Sequence, residues 1–288
     1  SFDGYAGLQS SYNLPTMLNA QQYGDLLWQA TINDGGTPSN DIYGDDPNQA
    51  VIPQWLDADQ TIPSDDVDWV NEIMQTAMIQ SYNVSLAKGD SKSQSIFSLG
   101  YYNQEGLIKH TGFERYSARF NSSYNIGDFL TIGENFTANY KEQVSVGTNS
   151  ALGSVILTAM QFPSIVPVKD INGEYAGNPI NDSNNPMGQL YRNKDNKQKR
   201  VQALGNVYAN LYVSDFTFKT SFGLDYQNYN IRSFSPTYDE ILSTNNTNSL
   251  STSNSFNYQF SFTNTLNYKK QFGKHHVCLL YTSPSPRD

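Results

Sequence analysis

The chain carries a single cysteine, Cys278, so no internal disulfide framework holds it together. Positive charge is scarce: 18 Lys and Arg stand against 27 Asp and Glu, and the net charge of −9 argues against a nucleic-acid partner. No apolar run approaches the roughly 18 residues that a membrane-spanning helix needs. Histidine is limited to His110, His275 and His276, none in an H-E-x-x-H or nucleophile-elbow pattern. The sequence therefore reads as that of a non-enzyme, with no catalytic residue, no metal site and no cofactor. A mean hydropathy of −0.56 still allows a membrane barrel, because inward polar residues cancel outward apolar ones in any window average.

What is abundant is aromatic and alternating. There are 20 Tyr and 15 Phe against 3 Trp. Over residues 256–268, Phe256, Tyr258, Phe260, Phe262, Leu266 and Tyr268 alternate with Asn257, Gln259, Ser261, Thr263, Thr265 and Asn267; Asn264 alone breaks the apolar series. A period of two places the rings on one face of a strand and the amides and hydroxyls on the other. Soluble strands usually stop near five or six residues, whereas a tilted membrane strand needs about nine to eleven.

Similar strands are expected at the start of the chain (Phe2, Gly4, Ala6, Leu8), then around Tyr82–Leu86, Phe97–Tyr101, Tyr116–Tyr124, Leu130–Tyr140, 201–213 and Phe216–Tyr226. Tight turns are expected at Lys88-Gly89-Asp90, Asn125-Ile126-Gly127-Asp128 and Ser214-Asp215. Long connections are expected at about 11–79 and 141–200, with a polar loop at Ser233–Ser255. The first holds a helix capped by Asn19, with Gln22 three residues on and Gly35-Gly36 as its stop. A second helix is expected from Val67 to Gln75, capped by Asp65 or Asp66, and a third from Ala151 to Gln161 before Phe162-Pro163. Glu134 falls on the apolar face of its strand, which a bulge or a position at the water boundary would accommodate. The pattern is that of an all-β, antiparallel transmembrane β-barrel with about eight strands and with long extracellular loops carrying short helices. Short turns at one end and long loops at the other are the asymmetry of outer-membrane barrels.

Asp68-Trp69-Val70-Asn71-Glu72-Ile73, Ser81-Tyr82-Asn83-Val84-Ser85, Tyr101-Tyr102-Asn103-Gln104-Glu105-Gly106-Leu107-Ile108-Lys109 and Thr111-Gly112-Phe113-Glu114-Arg115-Tyr116 follow one another in order. Together with Leu18–Tyr23, Asp170–Ala176 and Asn185–Leu190, this series resembles the N-terminal part of the barrel in SusC/RagA-type TonB-dependent outer-membrane transporters, without the plug. The resemblance covers residues 1–276 as one partial barrel. It implies a cell outer membrane location, a barrel of about 22 strands with a plugged lumen, and uptake of oligosaccharides or peptides. It also implies a SusD-like lipoprotein lid and the TonB complex, engaged through a part of the protein outside these residues. A piece of this kind is not expected to transport alone. Residues 277–288 lose the alternation and read as a non-native tail.

Arg115, Arg119 and Asn121 are the lumen-facing candidates for contact with substrate. The acidic group Asp57, Asp59, Asp65, Asp66 and Asp68 has the chemistry for calcium but not the EF-hand spacing, and a solvated loop with helix caps accounts for it as well. Trp28, Trp55 and Trp69 either stack on sugar or pack the loop. The basic run Lys194–Arg200 reads as a loop, solvated or facing anionic lipid. A soluble or surface all-β carbohydrate-binding protein, with the rings between two sheets, and a secreted hydrolase on a β scaffold remain as rival readings.

Overall fold

A computed structural model describes residues 1–146 and 154–283. Nine strands form one antiparallel sheet in chain order, each beside its neighbour in sequence. They are β1 (Phe2–Gln9), β2 (Ala77–Gly89), β3 (Ser93–Glu105), β4 (Gly112–Ile126), β5 (Leu130–Val144), β6 (Lys197–Val213), β7 (Phe216–Ser235), β10 (Ser249–Phe272) and β11 (His275–Ser283). A small hairpin of β8 (Tyr238–Glu240) and β9 (Ser243–Asn245) lies in the connection between β7 and β10. The sheet thus has one strand more than the eight expected, and the polar stretch after Ser233 is mostly ordered into strands. β10 alone runs for 24 residues, more than twice what a tilted membrane crossing needs.

The connections segregate by end. Short turns at 90–92, 127–129, 214–215 and 273–274 occupy one edge of the sheet, and the connections at 10–76, 106–111, 145–196 and 236–248 occupy the other. Gly127 and Gly273 sit at φ 59° and 60°, a region where a side chain would strain the turn, and Ser214 tolerates 52° in the two-residue turn before Phe216. The long loops begin and end a few residues away from the expected 11–79 and 141–200, because β2, β5 and β6 extend past the membrane-length pattern.

Pairing is regular and keeps each face chemically pure. From β2 to β5, Tyr82, Tyr101, Tyr116 and Tyr140 stand directly opposite one another. Their ring centroids are 6.3, 5.1 and 6.3 Å apart. The hydroxyls of Tyr101 and Tyr116 both donate to Glu114 Oε1 at 2.9 Å, and that of Tyr140 donates to Glu142 Oε2 at 3.1 Å. The row on the loop side of the tyrosines is therefore polar. On the turn side come Val84, Leu99 and Ala118, then Leu86, Phe97, Phe120 and Phe136. This is a girdle: rings at one height, hydroxyls toward water, aliphatic and phenyl groups below. Glu134 stays on this face without a bulge, since β4 and β5 pair one-to-one throughout; its carboxylate accepts from the Ser122 hydroxyl. The ring face stays uncovered, with Phe256 and Phe260 65% and 57% exposed, and among the described residues no second sheet lies over it.

The hydrophobic core lies outside the sheet. Its members come from the connections at the loop end, Trp28, Tyr43, Trp69, Ile108, Phe162 and Leu190 among them. Helix α1 (Ala20–Asn33) has the expected capping box between Asn19 and Gln22 and ends before Gly35 at φ 77°. The next helix, α2, is only Trp69–Glu72 and is capped by Asp68, not by Asp65 or Asp66. Asp66 is committed elsewhere, accepting from the Ala20 N–H at 2.8 Å. Helix α3 (Val155–Gln161) starts on a Ser154 cap and stops at Phe162-Pro163; the expected residues 151–153 fall outside the described ones. Helix α4 (Pro186–Asn193), not anticipated as a helix, begins on Asn185 with proline in its first turn. The two long loops join where the Trp69 ring meets Phe162 edge-on at 4.7 Å and its indole N–H donates to Pro163 O at 3.1 Å.

Residues 277–283, expected to break the pattern, pair with β10 as β11, with Val277, Leu279 and Tyr281 on the ring face. Residues 284–288 of that expected tail lie outside the described residues.

Candidate functional site

The face opposite the rings is a field of amides and hydroxyls laid out in rows. One row holds Asn83, Gly100, Ser117, Asn139, Gln202 and Gln227. The row two residues further toward the turns holds Ser85, Ser98, Arg119, Thr137, Leu204 and Asp225. Asn135 Nδ2 donates to Asn206 Oδ1 at 3.1 Å, and Asn206 Nδ2 to Ser221 Oγ at 3.2 Å, so these side chains form lateral chains across strands.

Arg115, Arg119 and Asn121 all stand on this polar face, where the alternation of β4 places them. Arg115 and Arg119 share a cleft of about 450 Å3 with Asp3, Asn83, Ser117 and Asn139. Asn121 lies one row further, opposite Asn135, and does not line that cleft. A second cleft of about 540 Å3 lies further along the face, lined by Asn135, Asn206, Asp225, Gln259 and Ser261.

Register adds two residues to the substrate-contact candidates. Lys141 pairs directly with Arg115, and Arg200 pairs directly with Lys141. Tyr102 and Tyr229 end the row, carrying the guanidinium groups of Arg115 and Arg200 over their rings at 5.4 and 4.8 Å. The basic run 194–200 supplied the signal for Arg200, but from Lys197 onward it is strand, not loop. Its members divide between faces: Lys197 and Lys199 reach Glu142 at 2.5 and 3.6 Å on the ring side, and Arg200 turns inward.

At the loop end the remaining candidates resolve into structure. Trp28 and Trp69 are buried in the core, which removes them as sugar platforms, and Trp55 is half-buried beside Pro63. Asp57, Asp66 and Asp68 serve separate local roles, and among the described residues no group of three acids, histidines or cysteines is placed to hold a metal ion. A buried polar node was not legible at all. Glu240, 2% exposed, accepts from the Asn185 N–H at 2.7 Å and pairs with Arg192 Nη1 at 2.6 Å. Burial raises the carboxyl above its ordinary range, against the pull of Arg192 and the Asn185 N–H. The node ties the β8–β9 hairpin to helix α4, and Gly188 leaves it room: a Cβ there would come within 2.8 Å of Glu240 Oε1.

No family model matches the chain. Among curated proteins it is similar to TonB-dependent receptor P39 of Formosa agariphila, 24% identical over 211 residues, which covers 73% of this chain and 20% of that protein. It is also similar to TonB-dependent receptor P3 of the same species, 26% identical over 224 residues, covering 74% of this chain and 22% of that one. The chain spans about a fifth of the length of the curated relatives it matches. In fold it is similar to a solved RagAB peptide transporter, with a TM-score of 0.76 and 22% identity over 97% of this chain and 33% of that one. A RagAB peptide importer in a closed-closed state gives 0.74 at 21% identity, with the same coverage of both chains. The curated relatives are TonB-dependent receptors, and the nine-stranded sheet with its loops has the fold of about a third of the RagAB transporter chain.

Proposed function

We propose that the nine strands are part of the wall of an outer-membrane barrel that takes up oligosaccharides or peptides in a TonB-dependent manner. The observation that carries this reading is the uncovered ring face bounded by the Tyr82–Tyr101–Tyr116–Tyr140 girdle. An exposed apolar surface of this extent needs a partner, and one that is level, aromatic-rimmed and continuous across strands suits a bilayer. The polar face then looks into the lumen, and the loop-end core faces the outside as a cap. Arg115, Arg119 and Asn121 line the passage and touch cargo. A SusD-like lipoprotein covers the loop end, and the TonB complex supplies energy through a segment beyond these strands. Among the described residues no second sheet covers the ring face, as the carbohydrate-binding sandwich would require.

Membrane fractionation tests the reading. The protein is expected in the outer-membrane fraction and in solution only with detergent. In reconstituted bilayers, a spin label at Phe260 is expected to sense acyl chains, and one at Ser261 to sense water. A protein that stays soluble without detergent, or a Phe260 label shielded from lipid by protein, sinks it.

A further inference from the structure

We propose that Arg115, Lys141 and Arg200 form a binding row for the anionic groups, carboxylate or sulfate, of an acidic oligosaccharide. This rests on the uptake reading above and adds the charge class of the cargo.

The three cations are direct cross-strand neighbours on adjacent strands, an arrangement that is destabilising unless an opposite charge joins it. None arrives from the described protein. The side chains of Arg115 and Lys141 take part in no ion pair or hydrogen bond among the described residues. Arg200 donates from Nη2 to Gln227 Oε1 at 2.7 Å, and its buried Nε has no partner. The acids that neighbour the row in sequence, Glu114 and Glu142, point to the other face and are taken by Tyr101, Tyr116, Tyr140 and Lys197. On the polar face, Asp225 is held by the Gln202 and Gln227 amides. Asp3 lines the cleft that Arg115 and Arg119 share, leaving the row with surplus positive charge.

The row is also held in place. Tyr102 and Tyr229 carry the two guanidinium groups at its ends, which limits the freedom an anion would otherwise have to freeze out. It lies at the loop end of the strands, where material entering past the loops first meets the wall. Spacing favours a glycan. Adjacent strands lie about 4.8 Å apart, close to the advance of one pyranose unit, whereas same-side side chains of an extended peptide recur every ~6.7 Å. The next row, with Ser117, Asn139 and Gln202, offers the amides and hydroxyls that sugar hydroxyls require.

The test is calorimetric titration of the full chain in detergent with oligogalacturonate, a sulfated oligosaccharide, a neutral maltooligosaccharide and oligoglutamate. Acidic glycans are expected to bind, more weakly as salt rises; the first two probes separate carboxylate from sulfate as the preferred source. Arg115→Gln, Lys141→Gln and Arg200→Gln should each weaken that binding about tenfold or more, and the triple variant should abolish it. Lys219→Gln, a polar-face control far from the row, should bind as the parent does. Lys141→Gln, which removes the central charge and no described side-chain contact, should be at least as heat-stable as the parent, because repulsion has been removed.

The site is overturned if acidic glycans do not bind, if the triple variant keeps their binding, or if oligoglutamate binds more tightly than oligogalacturonate. A fall in the stability of Lys141→Gln overturns it too, by showing that a protein carboxylate already neutralises the row. Binding of the neutral glycan alone removes the anion site and leaves uptake standing. A chain that binds none of the probes and also stays out of the membrane fraction removes both.

Discussion

At the residue scale, the loop-end cap depends on a few buried polar groups. Removing one partner of a buried charge pair strands the other, at a cost of about 3–5 kcal/mol. Glu240→Ala should therefore destabilise the cap strongly, leaving Arg192 without its carboxylate and the Asn185 N–H without an acceptor. Replacing Glu240 and Arg192 together with leucine should cost much less, and thermal unfolding followed by Trp28 and Trp69 fluorescence separates the two outcomes. Tyr43 gives the cap a pH limit. Burial first, then the nearby Tyr23 and Asp66, pushes its hydroxyl up to about 12 from an ordinary 10.0. A group that ionises later in the folded state stabilises fully below its unfolded value and progressively less above it. Stability of the cap should be flat on this account up to pH 10 and should fall by roughly 2–3 kcal/mol by pH 12. Tyr43→Phe should lose that slope in the same fluorescence measurement. Neither residue stood out in the sequence. Glu240 and Arg192 are 48 positions apart, and nothing local to either marks it as buried. Arg115 and Arg119 were legible, because alternation fixes the face of a strand residue; the alignment of Arg115 with Lys141 and Arg200 depends on register, which alternation leaves open.

At the element scale, strands were the most readable parts, since a period of two survives any register. Helix α1 was readable for another reason: Asn19, Gln22 and Gly35 supply both its cap and its stop within the chain itself. Helix α2 was misjudged because four acids crowd residues 65–72 and only the fold decides which one caps; Asp66 is drawn off to α1, leaving Asp68. Helix α4 was hidden because its eight residues, PMGQLYRN, make only two turns, too short for the apolar pair Met187 and Leu190 to repeat, although Asn185-Pro186 is a sound opening. Strand logic makes a sharp prediction. One residue inserted after Phe260 in β10 sends every later side chain to the opposite face, turning Phe262, Leu266 and Tyr268 inward. Such a variant should fail to assemble in the membrane, read as loss of protease-resistant, membrane-associated protein. Inserting the same residue in the connection at 236–248, outside the hairpin strands, should leave assembly unchanged.

At the scale of the whole molecule, two kinds of cohesion coexist. The sheet is held by unbroken backbone ladders between consecutive strands and has no core of its own. The cap has a core but few ladders, and its parts come from connections far apart in the chain. Asp65 N–H donates to Ile165 O at 3.0 Å, and Trp69 finds its partners at Phe162 and Pro163. The residues between them include the whole of β2 through β5. The strands from β2 to β5 pair over short connections, whereas these two loop segments would face a long closure if the intervening chain were free. Pairing β2 to β5 shortens that closure to the width of four adjacent strands. The cap is consequently a dependent structure: the strands act as its template, and the entropy of bringing its halves together is settled by the ladder beneath them.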